Sequence, residues 1–486
     1  MPKRVNCGLK IDTNRVVNMK IVVIGGAHAG LSAVNAFRHV NKDDEIVILE
    51  KNLRDRPFIS AGIKLALNGK VSSAEQVNFE HFEGQPNTTY RAGVLVERID
   101  ATKKRVYARR IEDGSMIEES FDKLVYALGS SARVPSFVGA DLDRVVFVKD
   151  EQDAQDINKF AKGFRKRALV YGGGPVSTEL AAALIQAGVH VTFVTRSERL
   201  MTRYFDQTVQ ENLEKTLTDN KVVLRKHQEV VSVENQGKKI EVNFNNGTSE
   251  VFDFMAIASG LQPNTMLLAG QVDMRDNGAI VVNSQMQSSN PDIYAVGDSA
   301  VVDGKFDQYF PLMSAAIKMG RVVGYALAGV KVEIQPILRT IGFSVFDRFF
   351  YKTGLTVTAA KERVGDTIER LDIHTPATIH ALGEKSDILA SLIYDYETGI
   401  VYGAQIATNA PAAAEVITTL SHAVSSGLTV DQLAFLDTYF ESEINLPYSV
   451  ANRLGEMGII AEYQRHHGQE VTKKVTDGDD ELNGFQ

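Results

Sequence analysis

Two glycine-rich turns carry the first chemistry in this chain, Gly25-Gly26-Ala27-His28-Ala29-Gly30 and Gly172-Gly173-Gly174-Pro175-Val176-Ser177. Turns of this kind hold a diphosphate. Gly25 permits the tight turn, a small Ala27 lets the pyrophosphate approach, and Gly30 lets the following helix pack on the strand. The phosphates then meet backbone N–H groups at a positive helix end. Glu50 follows Gly30 at about the 20-residue spacing that lets a carboxylate accept from a ribose 2′-OH. In the second turn Gly172 and Gly174 repeat the glycines, Ser177 replaces the third, and Glu179 follows. The next apolar run ends at Val194-Thr195-Arg196, with no acid. Thr195 does not repel a 2′-phosphate, and Arg196 or Arg199 can pair with one. That favours NADPH over NADH, or tolerance of both; the competing reading of Arg196 is a solvated arginine. His28 is either a helix-start residue beside the phosphates or an imidazole aimed at a redox ring.

The elements that must position these turns are visible on either side. Met19–Lys51 and Arg167–Arg199 each read as an apolar β-branched run, a glycine turn, a helical stretch and a second apolar run. This is a βαβ unit with parallel strands. Phe121–Ala140 reads as a buried strand ending in a Gly-Ser turn, with a parallel partner expected in Phe252–Thr265. Asn290–Val302 closes on Gly297-Asp298, and Phe310–Gly329 has helical periodicity. From Val332 the texture turns antiparallel, with a hairpin at Glu397-Thr398-Gly399 and a helix over 410–426. The expected fold class is α/β, with two Rossmann-like dinucleotide-binding domains and a C-terminal α+β domain. The expected boundaries are an N-terminal extension at 1–18, a first discontinuous domain at 19–140 and 272–333, and a second at 141–271. A third domain follows at 334–465, with a mobile tail at 466–486.

Composition excludes several function classes. A net charge of −8 over 486 residues argues against a nucleic-acid binder. No apolar run is long enough to span a membrane, and the N-terminus lacks the apolar core of a secretory signal. The one cysteine, Cys7, lies in the N-terminal extension, so neither an internal disulfide nor a Cys-based metal site is available. No metal is expected: Arg465-His466-His467 reads as solvated, and His374 and His380 lack a third ligand. A cytoplasmic location is the expectation.

Taken together, the segments "IGGAHAG", "VILEK", "ISAGI", "LVYALGS", "YGGGPVSTE", "ASGLQPNT", "YAVGDSA" and "GRVVG" give a resemblance spanning about residues 19–460. The chain resembles the two-dinucleotide flavoprotein disulfide-reductase family. It is most similar to the branch of NADH oxidase, NADH peroxidase and coenzyme A-disulfide reductase. The resemblance implies that Gly25–Gly30 and Glu50 hold FAD, with Ser130 near its pyrophosphate and Asp298 at its ribityl or phosphate region. Gly172, Gly174 and Glu179 would serve NAD(P)H. His28 would match the active-site histidine, and the C-terminal domain would form a homodimer.

Where the branch has Ser-Cys-Gly, this chain has Ser60-Ala61-Gly62. Alanine supplies no nucleophile, so neither a sulfenate nor a mixed-disulfide cycle can run at position 61. Hydride transfer to a flavin needs no thiol. The expectation is an FAD-dependent NAD(P)H oxidase that passes electrons to O2 and releases H2O2. A dehydrogenase with another acceptor and a non-catalytic FAD- or nucleotide-binding module are the alternatives. Further departures are Pro175, where the branch commonly has an aromatic residue, and Asp437–Val450, which lacks its proline-rich pattern.

Overall fold

The β-branched run Lys20–Ile24 forms β1 and delivers the chain into Gly25. In this computed structural model, which describes residues 18–53, 58–59, 61–73, 82, 84–304, 309–376, 387–441 and 448–476, Gly25 has φ +100°. A Cβ there would lie 2.3 Å from the Ala127 carbonyl oxygen, so only glycine makes this turn. Helix α1 (His28–Val40) and strand β2 (Glu45–Leu49) complete the first βαβ unit, in register Ile24 to Leu49. Then come α2 (Ala61–Leu67), β3 (Thr88–Arg91), a three-stranded antiparallel sheet over 94–120, and β4 (Lys123–Tyr126).

The second unit repeats this plan. Its elements are β5 (Val145–Phe147), α3 (Glu151–Ala161), β6 (Arg167–Gly172), α4 (Pro175–Gln186), β7 (His190–Val194), α5 (Gln207–Asp219) and β8 (Val223–Arg225). After another three-stranded antiparallel sheet, over 230–252, comes β9 (Phe254–Ala258). The sheet order is β8-β7-β6-β9-β5, parallel throughout. The expected parallel pairing of Phe121–Ala140 with Phe252–Thr265 is therefore corrected. β4 and β9 belong to different sheets, and each lies beside the first strand of its own unit. What joins the two segments is a short antiparallel pair, Ser130–Ala132 with Leu261–Pro263.

The chain then returns to the first sheet. β10 (Ile293–Ala295) pairs with β4 and gives the parallel order β10-β4-β1-β2-β3. Helix α6 (Met313–Leu327) crosses α1 at close range. A Cβ on Gly320 would sit 2.3 Å from the Ala29 carbonyl oxygen, and one on Gly324 2.2 Å from that of Ala33. Glycine is what lets the two backbones meet. The stretch from His81 to Gly93, which reads as loop and helix edge, contains β3, paired with β2 in the core sheet.

The C-terminal domain is a six-stranded sheet. Its strands are β11 (Ile341–Val345), β12 (Arg348–Gly354), β13 (Ile368–Pro376), β14 (Asp387–Asp395), β15 (Val401–Thr408) and β16 (Lys474–Thr476), in the order β11-β12-β15-β14-β13-β16. Helix α7 (Val357–Val364) follows β12, while α8 (Ala414–Ser426), α9 (Val430–Ala434) and α10 (Val450–His466) follow β15. Two corrections concern the tail. Arg465 is not simply solvated: it donates to Glu369 Oε2 at 2.6 Å and lies over the Tyr396 ring. Beyond it, β16 pairs in parallel with β13, so the chain to Thr476 is part of this domain. The sheet edge at Ile373 leaves backbone groups to satisfy, and Val475 fills that edge while burying its side chain.

Candidate functional site

The first turn lies where β1 meets α1. Ala27 is exposed at the N-terminal end of α1, and Gly30 is the residue on which α1 rests. A Cβ on Gly30 would come within 2.0 Å of the Gly25 carbonyl oxygen. Glu50 emerges from β2 and is buried, at 7% exposure. Its Oε2 accepts from Gly26 N–H at 2.7 Å, and its Oε1 from the Asn52 backbone and side chain at 2.8 and 2.7 Å. The carboxylate is thus fixed against the turn, where a ribose would lie.

Ser130 and Asp298 are brought together from elements 168 residues apart: Ser130 Oγ donates to Asp298 Oδ2 at 2.6 Å. Lys149 joins them, donating to Ser130 Oγ at 3.0 Å with its Nζ 3.5 Å from Asp298 Oδ2. Nothing in the sequence points to Lys149 or to Tyr309, whose buried hydroxyl lies close to Ser130 and feels the Asp298 charge. His28 opens α1, and both of its ring nitrogens are buried without a hydrogen-bond partner. Burial pushes the imidazole below its ordinary pKa, and the Asp298 carboxylate pulls weakly the other way. A buried imidazole with two unused nitrogens is costly unless a bound group engages it. Exposed Ala27, fixed Glu50, Asp298 and the unengaged His28 together fit an FAD.

The second turn holds the matching place, where β6 meets α4. Ser177 replaces the third glycine and closes the turn on Gly174, accepting from its N–H at 3.1 Å and donating to its carbonyl at 2.9 Å. The Tyr204 ring packs beside Gly174. Glu179 is engaged from outside the second unit. Its Oε1 accepts from Lys64 Nζ at 2.8 Å, and Lys64 also donates to the Ser344 carbonyl and hydroxyl at 2.7 and 2.6 Å. Lys64 lies one helical turn after position 61. One ammonium thereby ties α2 of the first unit to α4 of the second and to β11 of the C-terminal domain. Ala61 starts α2, and the neighbouring Ile63 is buried in the core that α4 and β11 share. Ser60 and Cys7 lie outside the described residues.

Arg38 on α1 has two readings from the sequence, a coenzyme A contact implied by the resemblance and a solvated arginine, and the second is corrected. It is buried and donates to the carbonyls of Asn41, Asp44 and Asn87 and to Thr88 Oγ1, clamping the end of α1 to β3. Among the described residues, no cluster of three or more His, Cys, Asp or Glu is arranged to hold a metal. No described helix is long and apolar enough to cross a membrane.

Residues 19–320 match the pyridine nucleotide-disulphide oxidoreductase family, and 350–440 match the dimerisation domain of the same family. The chain belongs to this family. As a member it is an oxidoreductase that works with FAD and a pyridine nucleotide. It is 32% identical over 448 residues to an NADH oxidase of Enterococcus faecalis, covering 91% of this chain and 99% of that protein. An NAD(P)H sulfur oxidoreductase (CoA-dependent) of Pyrococcus abyssi is 30% identical over 405 residues, covering 80% of this chain and 88% of that one. Among solved structures, the water-forming NADH oxidase of Lactobacillus brevis bound to NADH superposes with TM-score 0.86 at 31% identity. That match covers 92% of this chain and all of the other.

Proposed function

We propose that this chain is an FAD-dependent NAD(P)H oxidase that returns H2O2. The observation that carries the proposal is a pair of formed nucleotide turns beside a position 61 that holds alanine. The oxidase names of its relatives support O2 as the acceptor. Gly25, Ala27, Gly30 and Glu50 would hold the adenosine diphosphate half of FAD, with Ser130, Lys149 and Asp298 towards its other end. Gly172, Gly174 and the Arg196 turn would bind the reductant, while Glu179 would act through its pair with Lys64. When bound, FAD would supply the two-electron redox chemistry between NAD(P)H and O2.

The chain's own residues set the conditions. The ammonium of Lys64 is engaged by three acceptors, so it positions α2 against α4 rather than donating a proton. His28 is kept neutral by burial and carries one ring proton that no protein group has claimed. That proton is available to a bound group. Position 61 offers no sulfur to take H2O2 onward to water. The balance is one NAD(P)H, one proton and one O2 giving NAD(P)+ and H2O2. A homodimer would cover the exposed Phe435, Tyr439 and Phe440 of the C-terminal domain.

The test is the ratio of H2O2 formed to NAD(P)H consumed, in the parent and in Ala61→Cys. The expected ratio is near one in the parent and lower in the variant. Turnover to water by the parent, with no H2O2 detected, would refute the proposal.

A further inference from the structure

The two units of this chain provide an internal control for nucleotide recognition. In the first, β2 ends at Leu49, the register partner of Ile24, and the next residue is Glu50, whose carboxylate accepts from the second glycine of the turn. In the second, β7 ends at Val194, the partner of Tyr171, and the next residue is Thr195. Thr195 occupies the corresponding place. It is buried, and its Oγ1 lies 3.0 Å from where a Cβ on Gly173 would stand. Facing the second glycine is thus a carboxylate in one site and a neutral hydroxyl in the other. A carboxylate there accepts from a ribose 2′-OH and repels a 2′-phosphate, whereas a hydroxyl permits the phosphate.

Beside Thr195 stands a cation that no carboxylate among the described residues pairs with. Arg196 is exposed and makes no ion pair among the described residues. Its neighbours are committed elsewhere. Arg199 pairs with Glu211 at 2.9 Å and approaches Glu214 at 4.0 Å; Lys226 pairs with Glu214 at 2.9 Å; Arg225 pairs with Glu250. Glu229, in the loop after β8, shares Tyr171 with Arg196 as a neighbour but does not bridge to it. The backbone beneath Arg196 is fixed. Thr195 donates to the Arg225 carbonyl at 2.9 Å, and Gln228 and His227 donate to the carbonyls of Thr195 and Ser197 at 3.1 and 3.3 Å. Ser197 is exposed on the same turn, and its hydroxyl is a second donor to an oxyanion.

We propose that the preferred reductant is NADPH, selected by the Thr195-Arg196-Ser197 turn, with the Arg196 guanidinium on the 2′-phosphate. This rests on the reading of the second unit as the site of the reductant. Arg199, the other arginine that the sequence offers for this role, is excluded by its carboxylate partners.

The experiment compares 2′,5′-ADP with 5′-AMP by isothermal titration calorimetry on the FAD-loaded protein at low salt, alongside steady-state kinetics with NADPH and NADH. The expected result is at least ~10-fold tighter binding of 2′,5′-ADP, since a charge-assisted Arg–phosphate contact contributes on that order. Arg196→Ala is expected to abolish the preference, and Thr195→Asp to reverse it, while Arg199→Ala retains it. Arg196 is exposed, so its alanine variant tests recognition rather than folding. Equal affinity for the two analogues, or a preference that survives Arg196→Ala, overturns the proposal. Steady oxidation of NADH with that result would leave the oxidase reading standing. Binding of neither analogue, with no oxidation of either nucleotide, overturns both.

Discussion

Replacing Lys64 by methionine tests whether the three-way tie at α2 holds the site together. Methionine keeps the length and apolar stem but removes the charge. The Lys64 and Glu179 side chains are 20% and 24% exposed, so solvent screens the pair only in part. In Lys64→Met, Glu179 retains a weak contact from Ser344 N–H at 3.4 Å and is left a largely uncompensated carboxylate. That costs about 2–3 kcal/mol, the range for stranding a charged acceptor. In Glu179→Gln, Lys64 keeps both Ser344 oxygens, and the cost falls to about 1 kcal/mol. The two single variants are therefore unequal, and their double-mutant cycle returns a coupling of about 1–2 kcal/mol. The assay is urea unfolding of the FAD-loaded protein followed by circular dichroism, since the chain has no tryptophan. Anaerobic stopped-flow bleaching of the flavin by NADPH is the second readout. A shift of α2 against α4 of about 1 Å lowers the bleaching rate about 100-fold. Equal costs for the two singles, coupling below about 0.5 kcal/mol and an unchanged bleaching rate would together refute this reasoning.

Two further predictions concern protonation. Burial lowers the His28 pKa, so any inflection of flavin reoxidation that belongs to it lies below the ordinary histidine value of 6.5. Stopped-flow reoxidation between pH 5.5 and 8 checks this, and an inflection near 6.5 that disappears in His28→Asn contradicts it. Lys352, buried on β12 near Arg339 and Asp206, has its pKa pushed down to about 7 by burial, from 10.5. Between those values the unfolded chain holds the proton and the folded one does not, so stability is lost as pH falls from 10.5 towards 7 and stays lost below. At about 1.4 kcal/mol per pH unit, the loss is on the order of 5 kcal/mol. Thermal melts of Lys352→Met are expected to gain more over the parent at pH 6 than at pH 10.

The features legible in the sequence are those whose causes are local. Gly25 and Gly30 announce themselves because a tight turn and a close helix need glycine wherever they occur. The βαβ units show because apolar runs and helical spacing recur within a few dozen residues. What escaped depends on distant partners. Lys64 reads as an ordinary surface lysine until Glu179, 115 residues on, is folded against it. Its one signal was its place one turn after position 61. Arg38 reads as a solvated arginine because its partners are backbone carbonyls, which leave no mark in a sequence. β3 is short, polar and preceded by Pro86-Asn87, so only its pairing with β2 reveals it. The pairing of β4 and β9 was mistaken because equivalent strands of two similar units look like neighbours.

The first sheet is interrupted by the whole second unit, and this sets an order of events during synthesis. When Tyr126 has emerged, β4 is a bare edge, because β10 has yet to be made. Asp298 and the glycines of α6 are missing as well. At about 5–20 residues per second, roughly 8–35 seconds separate Tyr126 from Ala295. During that interval the second unit acquires all the strands of its own sheet, while the first exposes an edge that invites strand addition from other chains. The residues proposed to bind the reductant are therefore all made before Asp298, one of those proposed to hold the flavin, has been added to the chain.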